Sequence, residues 1–228
     1  MISLKQLSEV LRMPEKTVCL GDSDADRRLF ESFTSRHPKF PLISRKTVGV
    51  ALLPLDDFKT SEDYLESVGG KNSAAYFSRK AIRAGYAYAA FDPNSRADDI
   101  QRIHLSSPER QGKKMDSSYR TGFGEYPSDR RNSFYGVFKG DELVAYIWIV
   151  RSGQLLLMNR IMGHADHLRN GVMYLLVSSL IRQEIDKEGA QGRFVMYDTM
   201  LGASAGLRMF KERCGFRPYR LKWRLPVK

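Results

Sequence analysis

The stretch Arg193 to Phe216, RFVMYDTMLGASAGLRMFKERCGF, decides the fold. Phe194, Val195, Met196 and Tyr197 form a short apolar run bounded by polar residues, the mark of a buried strand. The run stops at Asp198-Thr199, passes a small-residue turn at Gly202 and enters a helix near Ser204. Leu207, Phe210 and Cys214 recur at helical spacing with Lys and Arg between them, and Gly215 stands where a left-handed residue would end the helix. The stretch reads as strand, polar elbow, helix and stop.

Just downstream, Tyr219, Leu221, Trp223 and Leu225 alternate with Arg220, Lys222 and Arg224, which predicts a strand with one buried face. Cations in a row on its outer face are either a phosphate-facing surface or a charged edge that prevents aggregation. Arg208, Lys211, Arg213, Arg217 and Lys228 add to them, against the single acid Glu212. Over all 228 residues the formal net charge is +11, a field that attracts phosphates, nucleic acid or acidic surfaces. The length fits one domain, or a domain with an N-terminal extension, and can bury a core. There is no run of about 18 apolar residues for a membrane span, and the N-terminus lacks a signal-peptide core. Cys19 and Cys214, far apart in sequence, read as reduced thiols of a cytoplasmic protein.

Residues 1–60 read as a helical extension. Leu4, Leu7, Val10 and Leu11 predict an amphipathic helix ending before Pro14, and Leu29, Phe30 and Phe33 predict a second over Asp24 to Arg36. The alternating acids of GDSDAD, residues 21–26, invite a calcium reading. An EF-hand loop counted from Asp22 needs Gly at its sixth position, where this chain has Arg27, so acids at a helix N-terminus are the simpler reading. Val48 to Leu55 is a strand candidate with Pro54 at an edge or exit. Ser61 caps a helix to about Val68, and a second starts at Asn72, carrying Lys71, Arg79, Lys80 and Arg83 beside Tyr76, Phe77 and Ile82. Tyr86 to Phe91 follows as a strand and Ala97 to Leu105 as a helix. The polar loop 106–132, with at most one short helix around Lys113 to Tyr119, mixes Arg110, Gln111, Lys113, Lys114 and Arg120 with Tyr119, Phe123 and Tyr126. That mixture suits a phosphate- or base-bearing partner. Phe134 to Lys139, Leu143 to Arg151 and Leu155 to Met162 are strands joined by tight turns at Gly140-Asp141 and Ser152-Gly153. His164 to Asn170 then leads into a long helix, about Leu168 to Gly189, with Leu175, Leu176, Ser179, Leu180 and Ile185 at helical spacing.

GLRMFKERCGF, residues 206–216, resembles the last helix of the N-acyltransferase (GNAT) superfamily, and its Phe-Lys followed by Gly-Phe is similar to the FemAB-like branch. SEDYLESVGGKNSAAYFSRKAIRAGYAYAAFD, residues 61–92, resembles the family's Tyr-Leu, Lys-rich helix and strand. The element order, with a long loop before three antiparallel strands and then helix, strand, helix, strand, is that of the GNAT fold. Together these bracket most of residues 60–225. They imply an α/β (α+β) acyltransferase fold, a mixed, mostly antiparallel sheet flanked by helices over 61–228, with residues 1–60 packed on it. The fold usually closes with a seventh strand, and the sequence offers none after Leu225. Either that strand is missing or another segment, such as Val48 to Leu55, takes its place.

For function the resemblance implies acyl transfer to an amine. In ordinary acetyltransferases a Tyr that protonates the departing thiolate precedes the Gly-Phe by four residues. Lys211 holds that place, as in FemAB-like enzymes, which join amino acids carried on tRNA to an amine. By resemblance Lys211 is the cation on the tetrahedral intermediate or leaving group, and Asp198 is a base or orienting group. The plainer readings are a solvated helix lysine and a turn or cap carboxylate. Acetyl-CoA enzymes of the superfamily hold pyrophosphate on amides before the long helix, with the pattern Arg or Gln, two residues, Gly, one residue, then Gly or Ala. With Gly171 as the last small residue, Arg169 occupies the first glycine's place and Asp166 that of the Arg or Gln. Arg169, Asn170 and Gly171 are then the candidate amides for an acyl-CoA, with aminoacyl-tRNA as the other donor. His164 and His167 flank the loop as candidate bases or as cap and surface groups. In the acyltransferase fold the 106–132 loop is the acceptor-side wall, so Arg110, Gln111 and Tyr119 join Arg220, Lys222 and Arg224 as candidate substrate contacts. No metal is expected, since nothing near the histidines completes a ligand set. Two classes stand: an N-acyltransferase working on a primary amine, including one borne by a nucleic acid or other anionic acceptor, and a non-catalytic nucleic-acid-binding module on the same fold.

Overall fold

The computed structural model describes residues 12–37, 44–110, 113–114, 124–187 and 192–226. In chain order its elements are β1 (Glu15–Cys19), α1 (Asp24–Thr34), β2 (Val50–Pro54), α2 (Ser61–Ser67), α3 (Ala74–Arg83), β3 (Tyr86–Ala90) and α4 (Ala97–Leu105). The short strands β4 (Glu109–Arg110) and β5 (Lys113–Lys114) follow, then β6 (Asn132–Lys139), β7 (Glu142–Ser152) and β8 (Leu155–Gly163). A 3-10 turn over Ala165–Asn170 leads to α5 (Val172–Ile185), β9 (Phe194–Thr199), α6 (Ala205–Arg213) and β10 (Arg217–Arg224). β4 pairs with β5, and the other strands form an eight-stranded sheet in the order β1-β10-β2-β9-β8-β7-β6-β3. Pairing is parallel at β1/β10 and β8/β9 and antiparallel at β10/β2, β2/β9, β6/β7 and β3/β6. This is the mixed, mostly antiparallel sheet that the sequence predicts. The chain divides into two compact units, one of residues 1–56, 151–157 and 191–228 and the other of 57–150 and 158–190.

In the first unit, Val18, Phe33, Val50, Leu52, Met196, Leu221 and Trp223 share one buried cluster, so strands from both ends of the sequence supply a single core. The Val48 to Leu55 candidate is β2, and it lies between β9 and β10, antiparallel to both. It takes the place held open for the missing strand, and Pro54 is its last residue, where a lost N–H breaks no internal ladder. Ser23 caps α1, with the acids Asp24 and Asp26 in its first turn. The Ser23 hydroxyl accepts the Asp26 N–H at 3.2 Å while the Asp26 carboxylate accepts the Ser23 N–H, a capping box. Asp26 also accepts from Ser152 Oγ at 2.5 Å, which joins the α1 cap to the end of β7. At Gly153 (φ +54) an added Cβ would lie 2.5 Å from the Cys19 carbonyl oxygen, so the turn after β7 runs directly against the backbone leaving β1.

β10 buries Tyr219, Leu221 and Trp223 as its alternation predicts. It is not an edge, however, since β1 and β2 flank it, and the charged-edge reading of Arg220, Lys222 and Arg224 is corrected. Lys222 Nζ pairs with Glu15 Oε1 at 2.6 Å on β1, and that hydrogen bond holds the Glu15 carboxyl below its usual range. In the second unit, α3 packs on α5 through a buried Ser78–Ser178 hydroxyl pair at 2.6 Å and a Phe77–Tyr174 stack at 4.8 Å. Three details of the sequence reading change there. Thr60, not Ser61, caps α2; Ser73, not Asn72, caps α3; and the long helix begins at Val172, because Gly171 is left-handed and ends the 3-10 turn before it. The helix predicted over Leu4 to Leu11 lies outside the described residues.

Replacing Gly153 with Ala forces an L residue into left-handed backbone and drives its Cβ into main-chain atoms that cannot swing aside. We expect a loss of about 1–3 kcal/mol in urea unfolding with an unchanged m-value. An unchanged unfolding midpoint would contradict this account of the turn.

Candidate active site

Asp198, next to last in β9, has a left-handed φ of +52 where the register against β2 shifts, a conformation that Asp tolerates better than most residues. Thr199 still pairs with Val50 of β2, and the Met200 N–H donates to Gly49 O at 2.7 Å. The Thr199 carbonyl accepts from Lys211 Nζ at 2.8 Å. Lys211 is only 1% exposed, and its ammonium lies 4.6 Å from the centroid of the Tyr197 ring. Tyr197 in turn meets Phe210 and Phe216 edge-on. The helix stop fixes this packing. Gly215 N donates to Glu212 O and Phe216 N to Lys211 O, both at 3.0 Å, which is the Schellman pattern the glycine predicts, and it turns Phe216 back onto the core.

Burying an ammonium disfavours its charge. Burial lowers the Lys211 pKa to about 8, the negative charge of Asp198 pulls it up, and the positive charge of Lys46 pushes it down. Lys46 Nζ donates to the Asp198 carboxylate, which is itself 59% exposed. Lys46 is held in place by its backbone, with its N–H given to Phe33 O at 3.0 Å and its carbonyl accepting Trp223 Nε1 at 2.7 Å. The solvated-lysine reading of Lys211 is therefore wrong. A helix position that looked polar carries a buried amine poised between its charged and neutral forms. Sequence reasoning named Asp198 and Lys211 but missed Lys46, which lies 152 residues from Asp198 in a polar segment with no periodicity.

The residues proposed for a cofactor lie in the other unit. Gly171 has φ +83, and an added Cβ would meet Phe77 O at 2.5 Å, so the close passage of α3 accounts for this glycine. Its N–H is given to Leu168 O at 3.3 Å. Asn170 Nδ2 donates to Tyr86 Oη at 3.0 Å, and the same hydroxyl shares a hydrogen bond with His167 Nδ1 at 2.8 Å. Lys80 Nζ donates to Arg169 O at 3.4 Å, and the Arg169 side chain is exposed. His164 Nδ1 faces Asp166 at 3.9 Å. Of the proposed substrate contacts, Arg220 has a buried Nε without a hydrogen-bond partner among the described residues, and Arg224 is exposed. Gln111, Tyr119 and the side chain of Arg110 lie outside the described residues.

No family model matches this chain, and no curated protein matches it in sequence. Solved structures do match. FemX aligns with a TM-score of 0.57 and 11% identity over 75% of this chain and 59% of that one. The C-terminal DUF2156 domain of a protein assigned as a lysylphosphatidylglycerol synthetase from Agrobacterium fabrum aligns with a TM-score of 0.52 and 14% identity over 75% of this chain and 58% of that one. L-PGS from Bacillus licheniformis gives 0.50 and 19%, again over 75% and 58%. This chain thus spans just under three fifths of the length of these structures, and at such identities the likeness is one of fold. The fold is of the GNAT type, with FemX of the FemAB family among its neighbours, as the sequence resemblance implies.

The environment of Lys211 has a stability consequence. The unfolded chain holds this proton up to its ordinary pKa of 10.5, whereas the folded protein releases it near 8. Between those values the unfolded state binds more protons, so stability rises with pH there. Lys211→Met should abolish that rise while raising stability at pH 7, measured as urea-unfolding free energies at pH 7 and 9.5. A variant that kept the wild-type slope would show that Lys211 is not the group responsible.

Proposed function

We propose that this protein is an N-acyltransferase that moves an acyl or aminoacyl group from an activated ester to a primary amine. The observation that carries the reading is Lys211, a buried amine with a pKa drawn to about 8, at the position where the GNAT-type resemblance puts the group that serves the departing atom. In the proposed reaction the acceptor nitrogen attacks the carbonyl carbon, the C–N bond forms, and the ester or thioester bond breaks. The Lys211 ammonium stabilises the negative charge that develops on oxygen or sulfur and gives its proton to the leaving group. The proton lost by the attacking amine restores it. A general acid works best with a pKa near the working pH, and burial supplies that pKa here. Asp198 keeps Lys211 protonated at neutral pH through its charge and is held in turn by Lys46.

Aminoacyl-tRNA is the favoured donor. FemAB-like enzymes use it, the net charge of +11 suits it, and the loop before α5 lacks the glycine pattern of acyl-CoA enzymes while Gly171 has a packing reason to be glycine. Acetyl-CoA is the alternative, with Arg169, Asn170 and Gly171 as its binding residues. The name of one neighbour, the Agrobacterium fabrum domain, speaks of lysylphosphatidylglycerol, so an amine-bearing acceptor and a lipid hydroxyl acceptor belong in the same assay.

The test incubates the protein with charged tRNA or acetyl-CoA and a panel of amines and phosphatidylglycerol, with mass spectrometry of the products. We expect transfer from charged tRNA and a loss of about 10²–10³-fold in kcat for Lys211→Ala. Because the protonated form is the active one, turnover should fall as pH rises through about 8. Asp198→Asn should move that fall to lower pH and Lys46→Met to higher pH. Full activity in Lys211→Ala, or a pH limb that ignores both neighbours, would remove Lys211 from the reaction.

A further inference from the structure

Beside the exit of β9 the first unit has an open cavity of about 500 Å³, a size typical of small-molecule sites. Met13, Pro14, Met200, Leu201, Pro218 and Tyr219 give it an apolar lining. Arg12, Arg208, Arg217 and Glu212 are the charged residues that line it. The local backbone brings these groups together. Arg208 and Glu212 are one helical turn apart on α6, Arg217 opens β10 just after the helix stop, and the segment before β1 is tied in by the Arg220 N–H to Pro14 O at 2.9 Å. Two of the guanidiniums are steadied by carbonyls, Arg217 Nη1 by Glu212 O at 3.2 Å and Phe216 O at 3.1 Å, and Arg208 Nη2 by Met200 O at 3.5 Å. Among the described residues none of the three meets a carboxylate at ion-pair distance, not even Glu212 four residues from Arg208.

We propose that this cavity binds a phosphomonoester carrying an apolar body, with the phosphate against Arg12, Arg208 and Arg217 and the body over Met200, Leu201 and Tyr219. Three cations against one anion leave two positive charges, the complement of a phosphomonoester near its second ionisation, whereas a simple carboxylate neutralises half of that. The apolar lining adds affinity that inorganic phosphate cannot use. None of these residues is given a part in the acyl-transfer reading, and the site is tested by binding alone, so the two stand or fall separately.

Isothermal titration of the full chain at low salt compares hexyl phosphate, adenosine 5′-monophosphate, inorganic phosphate and hexanoate. The first two carry alkyl and nucleoside bodies, and we expect at least one of them to bind at least about tenfold more tightly than either control. Arg12→Gln and Arg208→Gln should each weaken that binding about tenfold, and Glu212→Gln should tighten it several-fold. These side chains are exposed, and thermal unfolding confirms that each variant folds. The proposal is overturned if inorganic phosphate or hexanoate matches the better phosphomonoester, or if neither phosphomonoester binds below about 1 mM. It is equally overturned if the arginine variants bind like wild type, or if Glu212→Gln fails to tighten binding.

Discussion

An ammonium group shut away from water beside one carbonyl oxygen and one aromatic face makes demands that much of the first unit meets. Removing a lysine head from solvent costs several kcal/mol, and a single hydrogen bond to Thr199 O does not offset it. The Tyr197 ring face and the charge of Asp198 offset a further part of that cost and leave the pKa lowered, and each depends on backbone placed with some care. β9 must carry a left-handed residue just before its end to put Thr199 O and the Asp198 carboxylate where they are. α6 must stop at Gly215 so that Phe216 folds back and fixes the ring. Asp198 is more than half exposed, which weakens its pull on Lys211, and Lys46 orients it while partly cancelling it. The result is a lysine held between its two protonation states, not one locked in either.

This arrangement explains why the N-terminal residues belong to the same compact unit as the C-terminal stretch. Lys46 comes from the segment between α1 and β2, and its position is set by Phe33 and Trp223, one from each end of the chain, whose rings lie 4.7 Å apart. β2 completes the ladder between β9 and β10, and without it both strands would present unpaired edges. The Ser23, Asp26 and Ser152 network and the close approach at Gly153 join the same segment to the turn after β7. A stretch that looks like an appendage in linear order thus supplies both a central strand and a charge that tunes Lys211.

Local pattern made most of the elements legible. The strand and helix of residues 193–216, the cap at Ser204, the stop at Gly215, the meander of β6 to β8 and the alternation of β10 all rest on interactions between near neighbours, which periodicity and turn chemistry encode. Partnership across the chain was harder to read. Nothing in Arg220, Lys222 and Arg224 says that β1 pairs alongside them, so a strand that looked like an edge is interior. Lys211 looked like one more cation on a basic helix, because burial of a polar side chain is decided by what packs over it and not by its neighbours in sequence. Resemblance, not residue pattern, singled it out. The loop around Gly171 shows the converse, since a glycine that invited a phosphate-binding reading has a sufficient cause in the backbone of α3 passing where its Cβ would be.

Formal charge is the other place where composition and structure part. A count of +11 treats every cation as an equal source of field, yet the environments differ in kind. Lys211 lies in the interior and gives up its proton near pH 8, so it adds little to a surface potential and much to local chemistry. Lys222 is answered by Glu15 across a strand pair, and Arg182 by Glu62. Arg12, Arg208 and Arg217 have no carboxylate at ion-pair distance among the described residues, and they line a hollow instead of covering a convex face. Cations spread over a surface draw in any polyanion, and salt screens that attraction. Cations gathered at an apolar hollow select a small ligand by charge and shape together. The net charge therefore says less about partners than the positions of the few cations left unanswered.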